Sequence, residues 1–116
     1  MNDQWEIIHY SNSQGKMPVF DFIQSLNPKT KSKLIELMDL LEEYGLKIGS
    51  SHSKKLTGTK LWELRILNPD NIRVFYVAVV NKKFLLLHGF IKKKQKTDRK
   101  EIRLAEDRLS DYLKRF

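Results

Sequence analysis

The chain has 116 residues and a formal net charge of +8, from 22 Lys+Arg against 14 Asp+Glu. That length fits one domain over residues 1–116, and 41% hydrophobic residues supply one modest core. Zero cysteines exclude disulfides, Cys-ligated zinc, iron–sulfur clusters and a thiol nucleophile.

The run Gln4-Trp5-Glu6-Ile7-Ile8-His9-Tyr10, rich in aromatic and β-branched residues, predicts a first strand. A polar turn around Gly15 follows. Pro18 suits the first turn of a helix whose apolar stripe is Val19, Phe22, Ile23 and Leu26. Asn27 caps a second helix that Pro28 starts, Leu34, Leu37, Met38 and Leu41 line, and Gly45 stops. Residues 46–60 read as a loop. The period then changes from 3.6 to 2. Leu61–Leu67 is a strand with Trp62, Leu64 and Ile66 on one face and Glu63 and Arg65 on the other. Asn68-Pro69-Asp70-Asn71 is a turn. Ile72–Val80 and Phe84–Ile91 complete an antiparallel meander. Thr97-Asp98 caps a last helix, with Glu101 placed as in a capping box. Its stripe is Ile102, Ala105, Leu109, Tyr112, Leu113 and Phe116. The order β-α-α-β-β-β-α makes an α+β fold: a four-stranded, mostly antiparallel sheet, with the first strand at an edge and helices packed on it.

The charge is uneven. Residues 1–48 carry net −2 and residues 49–116 net +10. The densest run is Lys92-Lys93-Lys94-Gln95-Lys96, then Arg99 and Lys100. Such a cluster attracts phosphate polyanions with strong salt dependence, or serves as a solvated face. The chain shows no apolar run of ~18 residues and no signal-peptide start at Met1-Asn2-Asp3-Gln4. The expected address is the cytoplasm. Three scattered histidines and no Gly-rich phosphate loop leave no metal site and no cofactor expected.

The polar residues set into strands are the informative ones. Arg65, Arg73, His88, Lys92 and Lys93 are expected to share one concave face. Glu63–Arg65 is either a surface ion pair or part of a site. Arg73 either starts a strand in solvent or binds phosphate. His88 is either a hydrogen-bonded structural residue or a proton carrier. Trp5 and Trp62 read as core; Tyr76 as core or stacking surface. RNA cleavage suits such a surface, because the ribose 2′-OH supplies the nucleophile. The protein must then align three atoms, neutralise a phosphorane-like transition state and move two protons. Arg and Lys neutralise the charge, and Lys or His can move protons. Simple RNA or DNA binding requires the same composition.

Lys55-Leu56-Thr57-Gly58, Leu61-Trp62-Glu63-Leu64-Arg65, Arg73-Val74-Phe75-Tyr76, Leu87-His88-Gly89-Phe90-Ile91-Lys92-Lys93 and Gln95-Lys96-Thr97 resemble the phage-derived HigB-like branch of the RelE/ParE toxin superfamily. Glu101-Ile102 and Ala105 continue the likeness, which covers nearly the whole chain. The resemblance implies a RelE-like fold and the toxin half of a type II toxin–antitoxin pair. It implies a ribosome-dependent mRNA endoribonuclease (mRNA interferase) that cuts mRNA in the A site and inhibits translation. The implied partners are the small ribosomal subunit with mRNA and a helix-turn-helix, HigA-like antitoxin that forms a hetero-oligomer with the toxin and often represses the operon.

Residue by residue, the resemblance assigns Arg65 and Arg73 to the scissile phosphate and Lys93 to a catalytic basic position. It places His88 in the Leu-His-Gly-Phe string, either structural or catalytic. It assigns Lys54, Lys55, Lys92, Lys94 and Lys96 to contacts with RNA or ribosome. The chain departs from RelE-like enzymes at Ile102, where relatives carry a tyrosine near the start of the last helix. The ParE side of the superfamily inhibits gyrase with the same fold, so a non-catalytic gyrase inhibitor or repressor component is the alternative.

Overall fold

A computed structural model describes residues 4–49 and 51–116. Met1, Asn2 and Asp3, read above for a leader, lie outside the described residues, as does Ser50 of the expected loop. The elements are β1 (Glu6–His9), α1 (Pro18–Ser25), α2 (Pro28–Tyr44), a 3-10 turn (Gly45–Lys47), β2 (Ser53–Lys55), β3 (Trp62–Ile66), β4 (Ile72–Val79), β5 (Lys83–Ile91) and α3 (Arg99–Arg115). One mixed sheet runs in the order β1-β5-β4-β3-β2. β2 through β5 are antiparallel neighbours, and β1 joins β5 in parallel at the edge.

The α+β class and the β3-β4-β5 meander match expectation. The strand count does not. Among the described residues the sheet has five strands, because Ser53–Lys55, inside the stretch read as loop, pairs with Trp62–Leu64. Three polar residues carry no alternation to betray a strand. Tyr76 holds that strand in place: its fully buried hydroxyl lies 2.5 Å from Ser53 Oγ. Tyr76 is therefore core and not a stacking surface.

Local signals explain the helix limits. Asn27 Oδ1 accepts from Thr30 N–H at 2.9 Å, satisfying a free N-terminal donor of α2. Gly45 ends α2 at φ +60°, and a Cβ there would stand 2.6 Å from Trp5 Nε1. Only glycine meets both demands. The β4–β5 turn carries Asn81 and Lys82 at φ 66° and 55°, the left-handed pair of a tight hairpin. Glu42 of α2 closes the outer edge of β1: its backbone oxygen accepts from Trp5 N–H and its carboxylate from Ile7 N–H. That occupies donors which would otherwise template another strand.

The sheet is covered on both faces. α1 and α2 pack Val19, Ile23, Leu34, Leu37 and Leu41 on Leu64, Val74, Tyr76, Phe84 and Leu86. Trp5 stacks on Phe84 at 4.2 Å, and both tryptophans pack against this cluster. α3 packs Ala105, Ile102, Leu109 and Tyr112 on Leu61, Phe75, Val77, Leu85 and Leu87. The α3 stripe stops short of its expected length, since Leu113 and Phe116 are exposed. Among the described residues, no helix is long and apolar enough to cross a membrane.

Candidate functional site

Strand alternation puts Glu63 and Arg65 on the α3 face of the sheet, away from Trp62, Leu64 and Ile66. The register then builds two cross-strand rows. Glu63 pairs with Phe75, which pairs with His88; Arg65 pairs with Arg73, which pairs with Phe90. Lys54 extends the first row, opposite Glu63. His88 joins this face through a register shift after Phe75, where the pairing jumps from His88 to Leu86 and leaves Leu87 as the extra residue. Leu85, Leu87 and Phe90 all pack on the α3 side. Gly89 faces α1, where an added Cβ would stand 2.5 Å from the Phe22 ring.

Arg73 and Glu63 are both buried, with Nε to Oε1 at 3.5 Å. The reading of Arg73 as a solvated strand start is thereby corrected. One Nη1 donates to Asn71 Oδ1 at 2.5 Å and to the Ile72 carbonyl at 3.2 Å. Burial pulls the Arg73 pKa down; Glu63 opposes that shift and the facing Arg65 adds to it. Two guanidinium groups across adjacent strands would repel, and Glu63 is the carboxylate placed to offset this. Arg65 is the more accessible of the two.

Asn71 links this charge to the lysine run. Its Nδ2 donates to the Lys92 carbonyl at 3.1 Å, and its own carbonyl accepts from Lys92 N–H at 2.7 Å. Lys92 to Lys96 thus leaves the sheet where Arg73 is anchored. A cleft of about 140 Å³ opens there, lined by Phe90, Lys92, Lys93, Lys94 and Lys96 and by the carboxylates of Asp98 and Glu101; Asp98 lies 3.8 Å from Lys94 Nζ.

His88 is held at both ring nitrogens. Nε2 lies 2.9 Å from Glu101 Oε1 and Nδ1 lies 3.4 Å from Arg108 Nη1. Arg108 also donates to the Leu87 carbonyl at 2.9 Å. The ring stacks on Phe90 at 5.2 Å. Burial lowers the His88 pKa, against Glu101 and with Arg108. A neutral ring donating to Glu101 and accepting from Arg108 satisfies every group, so His88 clamps α3 to β5. Glu101 serves this clamp and not the expected capping box; Asp98 alone caps, accepting from Lys100 N–H at 3.0 Å.

The structure brings Arg65, Arg73 and His88 onto one face, with Lys92, Lys93, Lys94 and Lys96 at its end. Lys54 shares that face by register; Lys55, paired opposite Trp62 at the end of β2, stands apart from it, beside Glu106 and Lys114 of α3. Sequence reasoning missed the roles of Asn71, Glu101 and Arg108. A turn residue, a cap residue and a helix cation each had a sufficient local explanation, and nothing local reported their long-range partners. Among the described residues, no group of three His, Asp or Glu side chains is placed to hold a metal ion.

A family model of phage-derived Gp49-like proteins (DUF891) matches residues 21–110, from α1 into the later turns of α3. The chain belongs to this Gp49-like family. Membership points to the toxin half of a toxin–antitoxin pair. Every residue of the two rows, together with Asn71, the lysine run, Glu101 and Arg108, lies inside the matched region of this Gp49-like chain. A search of curated proteins finds no match.

Proposed function

We propose that this Gp49-like chain is a type II toxin that cleaves mRNA in the ribosomal A site by attack of the ribose 2′-OH. The observation that carries the reading is the Arg65–Arg73 cross-strand pair, tied through Asn71 to the Lys92–Lys96 segment. In this reading the 2′-oxygen bonds to phosphorus as the 5′-oxygen leaves, giving a 2′,3′-cyclic phosphate and a 5′-hydroxyl. Arg65 and Lys93 contact the phosphate. Arg73 lies behind them and adds a fixed positive field where water is excluded, which raises its effect on the transition state. Lys93, beside Lys92 and Lys94, moves protons; His88 keeps α3 and Phe90 in place. Lys54, Lys92, Lys94 and Lys96 follow the RNA and ribosome phosphates, and Lys55 meets them from the sheet edge. The partner that silences the protein is an antitoxin carrying a helix-turn-helix domain.

Such a site has no strong base and depends on substrate positioning, which a ribosome supplies. The test is induced expression in cells, with protein synthesis followed by amino-acid incorporation and mRNA 5′ ends mapped. The reading expects arrested translation and cuts in codon register, both lost with Arg65→Ala and Lys93→Ala. Growth arrest with intact mRNA and a DNA-damage response would overturn it in favour of gyrase inhibition.

A further inference from the structure

The last two turns of α3 leave an apolar ledge that the other described residues do not cover. Leu113 is 58% exposed, Phe116 82% and Val80, in the turn just after β4, 81%. Two grooves of about 780 and 760 Å³ meet there, sharing Lys60, Leu109 and Leu113. One is floored by Leu61 and Leu109; the other by Trp62, Val77, Val79 and Tyr112. The Tyr112 ring lies 4.9 Å from that of Phe116, and the Arg115 guanidinium lies 5.5 Å from the Phe116 centroid. The rim is basic: Lys55, Lys60 and Lys114 stand around the first groove against Glu106.

We propose that this ledge docks an acidic amphipathic helix of another chain, its apolar face on Leu113, Val80 and Phe116 and its carboxylates on Lys60 and Lys114. Charge selects the occupant. A second copy docked ledge to ledge would set Lys55, Lys60 and Lys114 against their own counterparts and be repelled, whereas an acidic helix is attracted and steered. The binding chemistry stands on this surface alone. Only the identification of the helix as part of an antitoxin rests on the toxin reading.

The test uses the full chain and a fluorescein-labelled 18-residue helical peptide, leucine on one face and glutamate on the other. A leucine–lysine peptide is the control. Anisotropy is read at low and high salt, with circular dichroism confirming each variant's fold and sedimentation its oligomeric state. The proposal expects binding of the acidic peptide only, weakened at least tenfold by Leu113→Asp, several-fold by Lys60→Glu, and by salt. Lys93→Ala and Lys94→Ala leave it unchanged. The proposal is overturned by no binding to the folded chain, by binding that survives Leu113→Asp but is lost with Lys93→Ala, or by a dimer that Leu113→Asp dissolves. None of these readouts involves a ribosome, so loss of the mRNA-cleavage reading leaves the result intact.

Discussion

Removing the Glu63 carboxylate would strand a guanidinium that is buried on the sheet. The two side chains are 7% and 5% exposed, with Nε to Oε1 at 3.5 Å. Truncating one partner of a buried pair costs about 3–5 kcal/mol. The bonds of Arg73 Nη1 to Asn71 and Ile72 survive and lower that cost. The facing Arg65 raises it. The expected loss for Glu63→Ala is therefore about 3 kcal/mol, against a total of roughly 6–17 kcal/mol for a chain this long. The melting temperature should fall by about 10–15 °C. Glu63→Gln keeps the shape and an acceptor oxygen, and should lose about half as much. Glu63→Leu with Arg73→Met replaces the pair by apolar groups and should return to within about 1 kcal/mol of wild type. The assay is urea unfolding followed by tryptophan fluorescence, with slopes compared to confirm a common unfolding transition. A loss under about 1 kcal/mol for Glu63→Ala would refute the claim that Arg73 depends on Glu63.

Tyr76→Phe leaves Ser53 Oγ buried without its partner and should cost about 1–3 kcal/mol by the same unfolding assay. Gly45→Ala combines positive φ with a Cβ against Trp5, and should cost about 2–4 kcal/mol. The pH dependence follows from His9 and His88, whose pKa values burial lowers below the ordinary 6.5. The unfolded chain then takes up protons at a higher pH than the folded one. Stability from these groups should be full above pH 6.5 and lost as pH falls from there toward the lowered folded values. Denaturation midpoints at pH 8 and pH 5 check this, and His88→Gln should flatten part of the slope.

The meander was legible because Trp62, Leu64 and Ile66 alternate with Glu63 and Arg65, and because turn residues bound each strand. The helix limits were legible in Asn27, Pro28, Gly45 and Asp98, whose side chains or backbone act locally. β2 was not, since Ser53-Lys54-Lys55 owes its strand to pairing with β3 and to the Tyr76 hydroxyl. The candidate site was half legible. Arg65, Arg73 and the lysine run stand out as charge in or after apolar strands. The depth of Arg73 did not show, because burial depends on long-range neighbours such as Glu63 across the sheet and not on the strand's own pattern. Nor did the clamp on His88, which comes from a bulge that breaks simple alternation and from residues 13 and 20 positions away. Leu113 and Phe116 continued a helical stripe in sequence, yet the sheet ends before it can cover them.

The most direct test of the toxin reading is a reconstituted reaction of purified protein, mRNA and ribosomes, with 5′ ends mapped in the presence and absence of ribosomes. The account predicts cuts in codon register that need ribosomes, leave 2′,3′-cyclic phosphate ends, and fall at least a hundredfold in Arg65→Ala and Lys93→Ala proteins that remain folded. Intact mRNA under these conditions, or equal cleavage by the Arg65→Ala protein, would contradict it.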